Sequence, residues 1–310
     1  MVGETIALGV AVAWTATAIY FEDATKRMGT LQVNVFRLGV SMLLLAITVW
    51  IASGPFLNQI PISAWEWLGL SGFIGYIIGD YCLFRSYKEI GARFTQLFMT
   101  LSSPFAAITA YYILQENLSI RTWIGMIITI GGIMLSIVSR PQKGTQQVHG
   151  NQSRLKVPLT GILLAIGASL GQGVGLVFSK MGMNALSQVD RPLSHWLLPF
   201  EATFVRSVIG FTIFLSILLI TKGKKGLKQI VADKFGVRQA ILGTILGPYL
   251  GVAGSLMALQ FAPAGIVSTL LALTPIMILI PARYYYHQRI SWVEIIGAII
   301  SVLGVIIMLT

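Results

Sequence analysis

Asp80 is the residue of this 310-residue chain best placed to do chemistry. It lies inside the apolar run 64–86, and Gly72 and Tyr76 precede it at steps of four, which sets all three on one helix face. A carboxylate at the centre of a bilayer costs about 2.5 kcal/mol or more, so it needs a role or a partner. The role would be proton coupling or the binding of a substrate cation. The partner would be Arg85 or Arg37. Glu201 raises the same question near the start of another apolar run. It could take a proton or a substrate charge, or pair with Arg206 or His195. Arg37 and Arg206 could hold an anionic group, or reach along the helix to lipid headgroups.

A second tier of side chains could contact a small substrate: Trp14, Tyr76, Tyr81, Gln96, Ser103, Gln172, Tyr249, Ser268 and Thr274. Each has an amide, hydroxyl or indole group within an apolar run, where a substrate or a neighbouring helix must satisfy it. Pro104 and Pro275 lack a backbone donor and should kink or break their helices, which makes them candidate hinges. Tyr284, Tyr285 and Tyr286 stand at the end of a run and read as an interfacial aromatic belt. Some chemistries are missing. The chain has no phosphate-cradling GxxxxGK[ST] and no HExxH, and its three histidines (His149, His195, His287) are scattered. With one cysteine, Cys82, neither an intrachain disulfide nor a cysteine zinc site can form. No cofactor, metal or enzyme activity is expected.

These residues must be positioned by helices in lipid. The chain is 55% hydrophobic and 11% charged, against about 25% charged in soluble domains, so its surface must face a bilayer. A net charge of +11 could suggest nucleic acid, but the basic residues sit in short loops between apolar runs, and no basic face exists outside the membrane. About twenty apolar residues cross a bilayer. Ten such runs occur, at 4–21, 33–52, 64–86, 92–114, 122–139, 158–179, 198–220, 237–260, 264–285 and 292–309. The expected fold is an all-α integral membrane protein of ten transmembrane helices, with a polar basic linker at 140–157 between five-helix halves at 1–139 and 158–310.

The halves look like copies. Ser119, Gly125 and Gly132 recur at one constant offset as Ser291, Gly297 and Gly304, and at that same offset Ser71, Gly75 and Gly79 recur as Gly243, Gly247 and Gly251. Pro104 and Pro275 keep this separation to within one position. An odd number of spans per half turns the second half over, giving an inverted repeat. Glycines at these spacings should form close seams, one of them between spans five and ten. Loops after odd-numbered spans, with the adjoining helix ends, hold 18 of the 22 Lys and Arg, which would put those loops in the cytoplasm and both termini outside.

Two five-helix halves of this kind resemble the drug/metabolite transporter superfamily, in particular its ten-helix EamA-type branch. The resemblance rests on Pro104, Gln115-Glu116-Asn117-Leu118-Ser119 and Gly125 to Gly132 in the first half, and on Pro275, Ile290-Ser291, Gly297 and Gly304 in the second. The family's glycine–glutamate pair before the turn is reduced to Glu116 in the first half and replaced by His287-Gln288 in the second. The resemblance implies secondary transport of small organic solutes (amino acids, metabolites or drugs) by export or exchange. Alternating access would work around a central site between the halves, in a prokaryotic inner membrane, and a monomer would suffice. The alternatives are a lipid flippase or a membrane-embedded enzyme acting on lipid-linked substrates.

Overall fold

A computed structural model describes residues 2–55, 60–138, 158–188, 196–277 and 292–309. The linker 140–157, the three histidines, Tyr284 to Tyr286 and the Ile290-Ser291 turn lie outside the described residues. Among the described residues all regular structure is helical, as lipid requires of a chain whose backbone groups must bond to one another. In order these are α1 (Val2–Met28), α2 (Thr30–Ser53) and α3 (Ile62–Gly72), which passes through a π-helical stretch, Phe73–Asp80, into α4 (Tyr81–Met99). Then come α5 (Ser102–Ile113), α6 (Ile120–Val138), α7 (Leu159–Ser187) and α8 (Leu198–Ala232). Next, α9 (Lys234–Thr244) leads through a second π-helical stretch, Ile245–Tyr249, into α10 (Leu250–Leu259), followed by α11 (Ala264–Leu271), α12 (Thr274–Met277) and α13 (Trp292–Leu309).

Among the described residues six segments are long and apolar enough to cross a bilayer: Val2–Met28, Thr30–Ser53, Ile62–Ala92, Leu159–Ser187, Leu198–Ala232 and Lys234–Leu259. Shorter apolar helices lie within α6 and α13. Ile51, Ile127, Leu163 and Ile220 point outward as a lipid-facing surface should, and Trp50, Trp196 and Trp292 stand exposed near helix ends. The third expected run reaches further than 86, as helix persists to Gly91, where φ of +80° breaks it.

The fourth and ninth runs are interrupted. Helix stops at Met99 and resumes at Ser102, and stops at Leu271 and resumes at Thr274. Pro104 and Pro275 therefore fall in the first turns of α5 and α12, where a missing N–H forfeits no helical bond. The breaks recur at the same offset as the glycines (99 to 271, 102 to 274), and so do the starts of the π-helical stretches (73 to 245).

Contacts define two ends of the molecule. At one, Arg27 pairs with Asp233 at 3.2 Å, Thr160 Oγ1 donates to Glu89 Oε2 at 2.9 Å, and Gly91 lies beside Glu22. Asp233 also caps α9, accepting from the backbone N–H groups of Phe235 and Gly236. The Gly236 bond, with the Arg27 guanidinium second, holds its carboxyl below the ordinary value. At the other end, Lys180 Nζ donates to Glu116 Oε1 at 2.6 Å, the Ala264 N–H donates to Glu116 Oε2 at 2.9 Å, and Gly3 packs on Ala258 and Ala262. From Thr160 to Lys180 is 20 residues of α7, about 30 Å at 1.5 Å each, the thickness of a hydrocarbon core.

Glycines set how closely helices approach. The expected seam between spans five and ten is present: α6 and α13 touch through Gly125, Gly132 and Gly304, with Thr129 Oγ1 reaching Ser301 O at 3.4 Å. A Cβ on Gly132 would lie 2.5 Å from Ser301 Oγ, whereas one on neighbouring Gly131 would meet nothing within 4 Å. Gly132→Val should therefore cost about 2 kcal/mol or more through overpacking. Gly131→Val should leave the unfolding temperature unchanged. Thermal unfolding followed by size-exclusion chromatography checks both, and equal effects would contradict the seam.

Candidate functional site

A cavity of ≈ 940 Å³, its open mouth included, lies between helices from both parts of the chain. The space within it comparable to a closed cavity is ≈ 120 Å³, room for a molecule of about benzene size. Its wall includes Trp14, Thr17, Phe21, Arg37, Tyr76, Asp80, Phe84, Tyr87, Gln96, Gln172, Ser268 and Thr274. The α1 contributors run from Trp14 to Phe21, and those of α4 from Leu83 to Met99, around the break at Gly91. The cavity thus reaches from mid-membrane toward the Arg27–Asp233 end. Toward the Glu116–Lys180 end, apolar side chains fill the space, among them Ala7, Ala110, Leu256, Ala258, Ala262 and Val267.

Asp80 is 4% exposed. Eleven helical residues separate it from Gly91, about 16 Å or roughly half of a hydrocarbon core. Arg37 Nη2 donates to its Oδ2, and Gln172 Nε2 donates to its Oδ1 at 2.6 Å. Asn34 Oδ1 accepts from Arg37 Nε at 2.9 Å and orients the guanidinium. The same guanidinium lies over Phe84 (4.9 Å), Tyr76 (5.5 Å) and Phe21 (5.8 Å). Of the two partners expected, Arg37 is the one found; Arg85 instead pairs with Glu89 at 2.8 Å. Losing one member of such a buried pair costs roughly 3–5 kcal/mol, because the other charge is stranded.

Two glycine contacts frame the cavity. Gly75 and Gly79 meet Gly175 and Gly171 of α7 backbone to backbone, which brings Gln172 to Asp80. Gly243 and Gly247 face Phe21, and Gly251 faces Trp14, so the aromatic rings of α1 nest on the glycines of α9 and α10. The interrupted helices close the cavity's polar rim. Ser102 and Ser268 face each other at 3.5 Å, Ser103 bonds Thr269, and Thr15 Oγ1 donates to the Thr274 carbonyl at 3.3 Å.

Of the expected site residues, Trp14, Tyr76, Asp80, Gln96, Gln172, Ser268 and Thr274 come together here. Four do not. Ser103 is fully buried and ties α5 to α11. Tyr249 spends its hydroxyl on Thr48 at 2.8 Å and packs on Phe200. Tyr81 is 37% exposed, turned away by one helical step from Asp80. Glu201 is buried at the start of α8, away from the cavity wall. Arg206, expected as a partner of Glu201, makes no ion pair with it; its guanidinium lies 4.6 Å over the Tyr76 ring. Phe21, Phe84 and Tyr87 were not anticipated. For the last two the signal was present, since 76, 80, 84 and 87 follow one helix face. Gly167-Ala168-Ser169-Leu170-Gly171 spells the nucleophile-elbow pattern GxSxG, but it lies within α7 with no strand before it among the described residues, and Ser169 Oγ donates to Ile166 O at 2.8 Å. Among the described residues no cluster of His, Cys, Asp and Glu could hold a metal.

Helices that cross a membrane, enclosing a polar and aromatic hollow, define a multi-pass integral membrane protein. The chain belongs to the EamA-like transporter family, whose sequence profile matches residues 1–138 and again 159–310. No curated protein matches. A solved structure described only as "Crystal structure of protein" shares the fold, with a TM-score of 0.68 over 99% of this chain and 95% of that one, at 13% identity.

Glu116→Ala removes the Lys180 and Ala264 contacts together and should lower stability by about 2 kcal/mol, the scale of a charged hydrogen bond. Denaturant unfolding in detergent measures it, and an unchanged midpoint would show that this end is held by packing alone.

Proposed function

We propose that the protein is a secondary active transporter that exports or exchanges small organic solutes such as amino acids, other metabolites or drugs. The observation that carries this reading is the cavity, which lies between residues of the two matched stretches, opens toward one end and is sealed at the other. Two five-helix modules, 1–139 and 158–310, related by inversion, would rock about it, exposing it to each side in turn. The recurrence of breaks, π-helical stretches and glycines at one constant offset supports that symmetry. The breaks at Pro104 and Pro275 would serve as hinges.

The Arg27–Asp233 end gathers Lys26, Lys88, Lys228 and Lys234, so the positive-inside rule assigns it to the cytoplasm of a prokaryotic inner membrane. Both termini would then be external and the present state inward-facing. Trp14, Tyr76, Gln96, Gln172, Ser268 and Thr274 would contact the solute, and Asp80 would carry the coupled proton or meet a substrate cation. Protonating Asp80 weakens its hold on Arg37, which links proton uptake to a rearrangement of the cavity.

A thermal-shift screen against amino acids, sugars, nucleosides and quaternary amines supplies the solute, and flux into proteoliposomes with and without a pH gradient supplies the test. Asp80→Asn keeps an oxygen that can accept from Arg37 but leaves the guanidinium charge uncompensated, so it should insert with a lowered unfolding temperature and lose gradient-driven flux. Undiminished gradient-driven flux in Asp80→Asn would remove Asp80 from coupling. If the wild type fails to move any solute that stabilises it, the transport reading fails.

A further inference from the structure

Arg206 is 3% exposed, and among the described residues its Nε has no hydrogen-bond partner and it forms no ion pair. A buried guanidinium left in this condition is costly, and a ring face offsets only part of that. Other groups at the junction of α2, α8 and the first π-helical stretch are also unsatisfied: the Tyr76 hydroxyl, Ser207 beside Arg206, and Ser41 one turn beyond Arg37. The junction carries polar groups that this conformation does not use.

The Tyr76 ring borders both arginines, Arg37 at 5.5 Å and Arg206 at 4.6 Å. Arg206 lies against the helix that bears Asp80. Its backbone packs on Gly72, and a Cβ on Gly75 would stand 2.9 Å from its Nη2. The intervening Phe73–Asp80 stretch is π-helical, a rare winding found frequently at functional sites. The two arginines sit near the starts of α2 and α8 (206 − 37 = 169), three short of the glycines' offset, whereas at the glycines' own offset the position matching Asp80 (80 to 252) is Val252.

We propose that Arg206 is the second partner of Asp80: when the cavity opens at the Glu116–Lys180 end, the carboxylate leaves Arg37 and pairs with Arg206. The proposal rests on the alternating-access reading above. Exchange of partners keeps the acid neutralised in both states, releases Arg37 in one and Arg206 in the other, and explains why an unpartnered cation is retained in the first. Arg206 acts through Asp80 and is a positioning residue.

The test uses the full chain with Cys82→Ser and single reporter cysteines. Leu83→Cys lines the open cavity, and Ala262→Cys is buried at the sealed end. Labelling by a water-soluble thiol reagent in proteoliposomes reads each state. The parent should label at both sites. Arg206→Gln should keep Leu83→Cys labelling, slow Ala262→Cys labelling at least tenfold, and leave the unfolding temperature level or higher, because an unpaired buried charge is gone. Arg37→Gln should shift labelling the opposite way. Unchanged labelling in Arg206→Gln, or a lowered unfolding temperature that marks Arg206 as an anchor of this state, overturns the proposal and leaves alternating access standing. A parent that never labels at Ala262→Cys overturns both.

Discussion

The Asp80 carboxylate is buried about 16 Å from the nearest helix end, on the wall of the cavity, where protein groups must stand in for most of its hydration. Arg37 and Gln172 answer for both of its oxygens, and they come from α2 and α7. One acid thereby binds together helices from both family-matched stretches of the chain. Much of the surrounding architecture follows. Gly75 and Gly79 must lack side chains for α7 to bring Gln172 that close. Phe21, Tyr76 and Phe84 must be aromatic to shelter the guanidinium. Asn34 must lie one turn before Arg37 to aim it.

The two glycine contacts also explain why there is a cavity. Where α7 meets the first π-helical stretch, glycine faces glycine and the helices touch. Where α1 meets α9 and α10, glycine faces Phe21 and Trp14, and the helices are held apart by rings. Corresponding small-residue rows, one in each matched stretch, give a tight seam on one side and an aromatic wall on the other. Fold and site differ here only in what stands opposite the glycines.

Much of the scaffold was legible in the sequence because lipid allows so few solutions. Apolar runs must be helices, and the paired glycines and prolines fell where the seams and breaks occur. The site was legible in part. Asp80 and Gln172 stood out because polar groups in apolar runs demand partners, but their partnership crosses 92 residues and could not be read from spacing. Ser103 and Tyr249 carry hydroxyls no different in sequence from those of Ser268 and Thr274. Only packing reveals that the first two are consumed by other helices. Tyr81 failed for a simpler reason, since adjacent residues on a helix point about 100° apart. The π-helical stretches left no trace except the glycines around them, and Arg206 gave no sign that it would form no ion pair among the described residues.

The account stands on two bodies moving about one hollow, so that one end opens as the other closes. Electron–electron distance measurements on two spin-label pairs test this directly, with Lys88 and Lys228 at the Arg27–Asp233 end, and Asn117 and Gln188 at the Glu116–Lys180 end, all exposed. The account predicts two distance populations at each end, with the long distance at one rising as the long distance at the other falls when pH or a stabilising solute is varied. Single, invariant distances at both ends, in lipid and across those conditions, would contradict it.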